Sequence, residues 1–458
     1  MFKGTYRHTD PQPTDQELHK HLSQGLKASD TFLTSPTFEQ DRSSEPTVNI
    51  IDYPCGFGKT EAMIAIINKR VDLKFLIVVQ TLSEVDRVLE GTKERPLVSP
   101  EGPESTQLTK GQQLEDFIVS GASIVITHAL YERAGVLARQ GGLSDYNVFI
   151  DEVPNAVSLG RKVSLESFQE FYIDPGYCEM NASGLVVATK KGIEQAERLV
   201  EVLDAKTMEA IFSGRLFHDQ KDHLIQTLPV YLFTHPLSVA VLTFMPEGSL
   251  FTQFLNKSVI PYKVLKGTNA TGVFKRNARK NLTIDTIAVL EDLAFSFSKQ
   301  EKYAATSKEV TKVTVALKNL KQRKLVGISL EDIMITCAKS NWYHTTRRKS
   351  DVTRAGPFSK NSRMFKDINW VPNTTRGTNN YAHCSHAIYL YEQNANPILL
   401  RWLGADTKVF KALYALSEMV QWIWRTRLRR GEPVHVYMPS KRMRGLLQAW
   451  LTLGATED

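Results

Sequence analysis

The feature that most narrows what this chain can fold into is the stretch Val48-Asn-Ile-Ile-Asp-Tyr-Pro-Cys-Gly-Phe-Gly-Lys-Thr60. An apolar run of strand length stops at Asp52, a tight loop carries Gly56 and Gly58, and Lys59-Thr60 opens an apolar stretch with helical spacing. The two glycines let backbone N–H groups curl around phosphate oxygens, and the N-terminus of the following helix adds a favourable dipole. Strand, glycine loop, Lys-Thr and helix in that order are the context a phosphate-binding loop requires. In it Lys59 contacts the β- and γ-phosphates, the Thr60 hydroxyl ligates Mg²⁺, and Pro54, Cys55, Gly56, Phe57 and Gly58 form the cradle. One departure stands out. The commonest spacing places a glycine at position 53, where this chain has Tyr53, and Pro54 starts the turn instead.

A second acidic element belongs with the first. Val148-Phe-Ile-Asp-Glu152 is an apolar strand ending in two carboxylates, 92 residues beyond Lys59. Beside a phosphate loop such a strand puts one carboxylate at the metal and the other at the attacking water. That reading gives Asp151 to Mg²⁺ together with Thr60, Glu152 to the nucleophile, and ATP hydrolysis as the chemistry, with ATP and Mg²⁺ as cofactors.

The surroundings fit that placement. Short apolar runs recur at 48–51, 75–79, 123–126, 148–150 and 239–244, separated by stretches able to form helices, such as 61–70 and 82–90. Fully apolar strands alternating with helices predict a parallel sheet covered on both faces. A second set, at 332–336, 387–391 and 433–437, predicts another such unit in the remaining length. The expectation is therefore an α/β chain with a polar lead-in over 1–46, holding one short helix around 16–26. A first domain would cover 47–265 and a second 266–458, with a helical insertion near 285–325 and a basic surface loop over 344–363.

Of the 458 residues, 57 are Lys or Arg and 49 Asp or Glu, a net charge of +8 that is compatible with a polyanionic partner. No apolar run approaches the roughly 18–20 residues of a membrane-spanning helix. The four cysteines are scattered without a CxxC pair, and the first residues lack an apolar segment, so a reducing, cytoplasmic setting without membrane contact is expected. The cluster His383-Cys384-Ser-His386 has metal-ligand residue types but no second cluster to complete a zinc site, and reads as structural.

Taken together, residues 48 to 445 resemble the superfamily-2 helicases, the DEAD/DEAH-like group. The P-x-G-x-G-K-T loop is similar to their Walker A motif, and Asp151-Glu-Val-Pro154 to their motif II, with Pro154 where Asp or His is usual. Phe75-Leu-Ile-Val-Val-Gln-Thr-Leu-Ser83 resembles motif Ia, Ser123-Ile-Val-Ile-Thr-His128 the next strand and loop, and Leu242-Thr-Phe-Met-Pro246 loosely motif III. Thr374-Thr-Arg-Gly-Thr-Asn-Asn-Tyr381 is similar to motif V, with Asn379 replacing an Asp. Gln421-Trp-Ile-Trp-Arg-Thr-Arg-Leu-Arg-Arg430 resembles motif VI, with Trp424 in place of Gly.

The resemblance implies two RecA-like parallel-sheet domains in tandem with ATP in the cleft between them. It implies nucleic-acid contacts at Gln80, Thr81, Thr127, His128, Arg376, Gly377 and Thr378, with Gln421 at the nucleotide. An arginine finger would come from Arg425 or Arg429, with Arg427 as the spare. If the helix runs on through this segment, Gln421, Arg425 and Arg429 share one face, roughly 6 Å between successive positions. Basic side chains with aromatics among them, at Lys339 and Trp342, fit single-stranded nucleic acid. The function expected is an ATP-dependent helicase or translocase on DNA or RNA, DNA favoured, of phage or plasmid type, working in the host cytoplasm if phage-encoded. A terminase-like packaging ATPase and an ATP-gated remodelling factor that does not unwind are the alternatives.

Overall fold

The computed structural model describes residues 47–102, 107–303, 307–344, 355–362, 367–375 and 379–453. The expected lead-in with its short helix, and most of the basic loop over 344–363, lie outside them; within that loop Pro357–Ser362 forms a helix. Among the described residues, sixteen strands form three sheets. The first contains β1 (Val48–Asp52), β2 (Lys74–Val79), β3 (Ile124–Thr127), β4 (Tyr146–Asp151), β10 (Ser238–Thr243) and β11 (Tyr262–Lys266). Their order is β11-β1-β10-β4-β2-β3, and every pairing is parallel.

The period of two along each strand builds two cores. Leu76 and Val78 join Ile50, Ile150 and Val241 in one apolar cluster, while Phe75, Ile77 and Val79 join Ile51, Phe149 and Leu242 on the other face. Both faces are buried, which is why these strands read as unbroken apolar runs. Helices Lys59–Lys69, Leu82–Gly91 and Leu250–Lys257 cover them.

The second sheet holds β12 (Leu282–Asp285), β13 (Ile333–Thr336), β14 (Asn369–Trp370), β15 (His386–Tyr389) and β16 (Val434–Tyr437), in the order β12-β16-β15-β13-β14, again all parallel. The chain passes from one sheet to the other through Gly267 and the helix Thr268–Asn281. The expected α/β class, with two parallel sheets in tandem, is thus what the structure shows. The stretch read as a helical insertion near 285–325 is broken up. Short turns at Ala288–Leu290 and Phe297–Gln300 precede one long helix, Lys308–Arg323, whose Val310, Val313, Leu317 and Leu320 are buried.

The third sheet lies within the region assigned to the first domain and was not foreseen. Between β4 and β10 the chain forms β5 (Val157–Lys162), β6 (Cys178–Met180), β7 (Leu185–Ala188), β8 (Leu216–His218) and β9 (His223–Thr227), antiparallel in the order β5-β9-β8-β7-β6. Its signal was a gap: residues 152–237 separate two strands that lie side by side.

Two joints hold the halves together away from the linker. The turn Pro246–Gly248 packs on the helix Lys408–Ile423 so closely that a Cβ on Gly248 would stand 2.4 Å from the Leu413 carbonyl oxygen. The helix Pro397–Leu403, which follows β15 of the second sheet, sends Leu399, Leu400 and Leu403 into the cluster that contains Phe251 and Phe254 of the first half. Trp402 of that helix meets Phe217 of the antiparallel sheet edge-on, with ring centroids 5.0 Å apart.

Candidate nucleotide site

The carboxyl ends of β1, β10 and β4 converge where β1 lies between β10 and β11, the kind of crevice in which open parallel sheets bind ligands. From Asp52 the chain turns through Tyr53–Gly58 into the helix Lys59–Lys69. Gly56 (φ 85°) and Gly58 (φ 75°) hold the left-handed backbone that glycine enters without a Cβ penalty. Lys59 Nζ donates to the carbonyls of Tyr53 (2.8 Å) and Pro54 (3.2 Å), so the ammonium lies folded against its own loop. Thr60 Oγ1 donates to Asp151 Oδ2 at 2.9 Å and ties the helix start to the end of β4.

Two carboxylates follow one another there. Burial pushes the Asp151 carboxyl up to about 6, and the neighbouring Glu152 charge adds to the rise, against the opposing pull of Lys59 and Thr60. Glu152 sits at φ 66°, a left-handed setting that costs a non-glycine residue about 1–3 kcal/mol. Its N–H donates to the Leu242 carbonyl at 2.8 Å, and its Oε2 is buried without a hydrogen-bond partner. Beneath the loop, buried Asp52 accepts the Met245 N–H at 2.9 Å and lies 3.9 Å from Lys266, which also pairs with Glu247.

The second half reaches this site. Arg425 Nη2 is 3.5 Å from Glu152 Oε1, both side chains nearly fully buried. Arg429 lies against the loop itself, with its carbonyl oxygen 3.8 Å and its Nε 4.0 Å from where a Cβ on Gly56 would be. Burial, with the like charge of Arg425 adding to it, lowers the pKa of the Arg429 guanidinium. Its Nη1 donates to Asn379 Oδ1, so the Asn that stands for an Asp in the motif V segment keeps a hydrogen bond to motif VI. The loop tip is also packed into the second half, because Cys55 and Phe57 belong to the cluster of Phe244, Phe274 and Trp424. Phe274 of the linking helix stacks on Trp424 at 3.9 Å and meets Phe57 edge-on at 6.1 Å.

Several residues stand differently from expectation. The helical-face argument for the arginines does not hold: the helix ends at Ile423, and a turn and a short 3₁₀ segment, Arg427–Arg430, carry Arg425 and Arg429. Arg427 points elsewhere, its Nε donating to the Pro433 carbonyl. Gln421 donates to the Phe244 carbonyl (3.4 Å) and to Ser417 Oγ (3.1 Å), which joins its helix to the chain after β10 rather than to the phosphate loop. Trp342 is fully buried in the second half's outer core, so the expected stacking of a base on its indole is ruled out.

Lys339 is exposed at the start of that short helix. Thr81 caps the helix after β2 and is exposed, and Gln80 is half-buried beside it. Thr127 closes β3, whereas His128 turns inward, its Nε2 2.9 Å from the Asp151 carbonyl oxygen. Arg376, Gly377 and Thr378 lie outside the described residues. His383 Nε2 bonds the Glu331 carbonyl (3.1 Å), and His386 stacks on His435. No helix among the described residues is long and apolar enough to cross a membrane.

The family described as the YonV C-terminal Rossmann-like domain matches residues 276–451. Over 417 residues the chain is 22% identical to the SPbeta prophage-derived uncharacterized protein YonV of Bacillus subtilis (strain 168), covering 88% of this chain and 98% of that one. Among solved structures it is similar to an apo XPD structure (13% identity, TM-score 0.49, 89% of this chain and 95% of that one). It is also similar to Xpd4 of S. tokodaii (12%, 0.41, 95% and 97%) and to S. cerevisiae Dbp5 bound to RNA and ADP BeF3 (12%, 0.38, 97% and 92%).

Proposed function

We propose that this chain is a phage-type ATPase that hydrolyses ATP at the loop 54–60 to move along or unwind a nucleic-acid strand. The observation that carries the reading is the arrival of Arg425 and Arg429, from the second half, at Glu152 and at the phosphate loop of the first. A site completed only by both halves can convert nucleotide turnover into relative motion, whereas a simple nucleotide-binding domain needs no such partner.

The residues suit ATP and Mg²⁺. Thr60 and Asp151 present two oxygen ligands side by side, and the burial of that carboxylate favours a cation beside it. Mg²⁺ held there supplies charge neutralisation on the phosphoryl oxygens. Lys59 leaves the carbonyls of Tyr53 and Pro54 for the phosphates, and the loop's N–H groups bind phosphate oxygens. Glu152 orients the attacking water and accepts its proton, while Arg429, beside Gly56, stabilises charge on the transferring group. Such a finger is worth on the order of 10³-fold or more in rate. Arg425 steadies Glu152.

The test is the rate of ATP hydrolysis with single-stranded DNA, single-stranded RNA, duplex or nothing added, for the wild type and Lys59→Ala. Stimulation by one nucleic acid, with the rate abolished in Lys59→Ala, is expected. Hydrolysis that survives the substitution would mean the loop is not the site.

A further inference from the structure

His128 has a job that the motif reading did not give it. It leaves the end of β3, which is the edge of the sheet, and its ring reaches past β2 to the end of β4. There Nε2 lies 2.9 Å from the carbonyl oxygen of Asp151. A carbonyl only accepts, so Nε2 carries the hydrogen and the contact fixes the tautomer. The ladder between β2 and β4 has ended by then, its last pair being Val78 with Ile150.

The peptide that joins Asp151 to Glu152 is therefore gripped from both sides. Its N–H, that of Glu152, donates to Leu242 of β10, and its carbonyl accepts from His128. What the grip maintains is the left-handed backbone of Glu152, φ 66°, a setting a glutamate does not keep without support. In that setting the carboxylate faces Arg425 at 3.5 Å. An extended backbone at Glu152 would re-aim the same side chain and forfeit this contact.

We propose that His128 is a positioning residue for Glu152: it clamps the Asp151–Glu152 peptide in its strained form and makes that form depend on the loop leaving β3. The proposal rests on the hydrolytic reading above and deepens it. Thr127 and His128 are adjacent, so a strand of nucleic acid that orders the Thr127 loop also firms the clamp, which gives nucleic-acid stimulation of hydrolysis a physical route across the sheet.

Three proteins test it: wild type, His128→Ala and His128→Gln, whose amide nitrogen can take the place of Nε2. Steady-state hydrolysis with saturating single-stranded nucleic acid should show kcat at least tenfold lower for His128→Ala, with KM for ATP within about twofold. His128→Gln should recover to within about threefold of wild type. Binding of a fluorescent oligonucleotide without nucleotide should stay within about threefold of wild type for all three, the small loss being the reciprocal of the coupling. An unchanged kcat in His128→Ala, a Gln variant as slow as the Ala variant, or weaker oligonucleotide binding with kcat intact would overturn the proposal, the last outcome restoring His128 as a nucleic-acid contact.

Amide hydrogen exchange of the segment 146–153 gives a readout that does not need turnover. It should quicken in His128→Ala and return to the wild-type rate in His128→Gln. Equal exchange in all three removes the clamp, whereas a wild type that hydrolyses no ATP removes the hydrolytic reading instead.

Discussion

Asp52 shows how a single side chain can be costly and still retained. Burial and the charge of Glu247 push its carboxyl up to about 7, against the pull of Lys266 and of the Met245 N–H. The folded protein holds that proton more tightly than the unfolded chain, whose carboxyl titrates near 4. Its contribution to stability is thus full below about pH 4 and is lost as the pH climbs through about 7. Asp52→Asn keeps an oxygen for the Met245 N–H and removes the charge. Urea unfolding should find the variant more stable than wild type at pH 8, by roughly 1–3 kcal/mol, and the gap should shrink as the pH falls and close only near pH 4. A wild type that is the more stable of the two at pH 8 would show that the Asp52–Lys266–Glu247 group is net stabilising.

At this scale the positions of the candidate site residues were easier to read in the sequence than the company each one keeps. Lys59, Thr60, Asp151 and Glu152 were legible because the loop and the strand end impose them by local spacing. Arg425 and Arg429 were picked out for a helical face that does not exist, and they meet the site because a turn after Ile423 carries them there. Trp342 was misjudged because an aromatic among basic residues carries no mark of burial. The clamp by His128 spans three strands, and nothing in the local sequence encodes their order.

Among the elements, the helix Thr268–Asn281 does more than connect. Phe274 on it is buried between Phe57 of the phosphate loop, Phe244 after β10, and Trp424 and Trp450 of the second half, at centroid distances of 3.9–6.1 Å. Removing a buried aromatic ring of this kind costs about 3–5 kcal/mol. Phe274→Ala should lose that much in chemical denaturation. It should also raise KM for ATP several-fold, because Phe57 loses the ring that props the loop tip. A variant that loses stability and keeps its KM would show that the cluster is core alone.

The apolar runs of both parallel sheets were readable because each strand is buried on two faces. The antiparallel sheet was not, since β6 and β8 are only three residues long and β7 only four. Runs that short leave the alternation of polar and apolar residues no room to repeat.

At the scale of the whole molecule, charge is unevenly shared. Residues 157–227, which contain the antiparallel sheet, carry eight Lys or Arg and eleven Asp or Glu, although the chain as a whole is at +8. A polyanion is therefore expected on the parallel-sheet halves and not on the insertion. Lys339→Ala should weaken oligonucleotide binding and flatten its dependence on salt by about one unit of slope, the mark of one lost phosphate contact. Lys190→Ala, on an exposed side chain of the insertion, should leave both unchanged. Equal losses at the two positions would place the strand across the insertion.

The helix Pro397–Leu403 belongs by sequence to one half and by packing to the other, and the residues leading into it are not slack. The N–H of Glu392 is held by the Phe295 carbonyl, its carboxylate accepts from Ser440, and Gln393 is bonded by Asn373 and Arg442. A lobe moored in its neighbour this way resists wide opening, so on the proposed hydrolytic reading spent nucleotide would leave through a narrow slit. Release of the product is then the expected slow step of turnover.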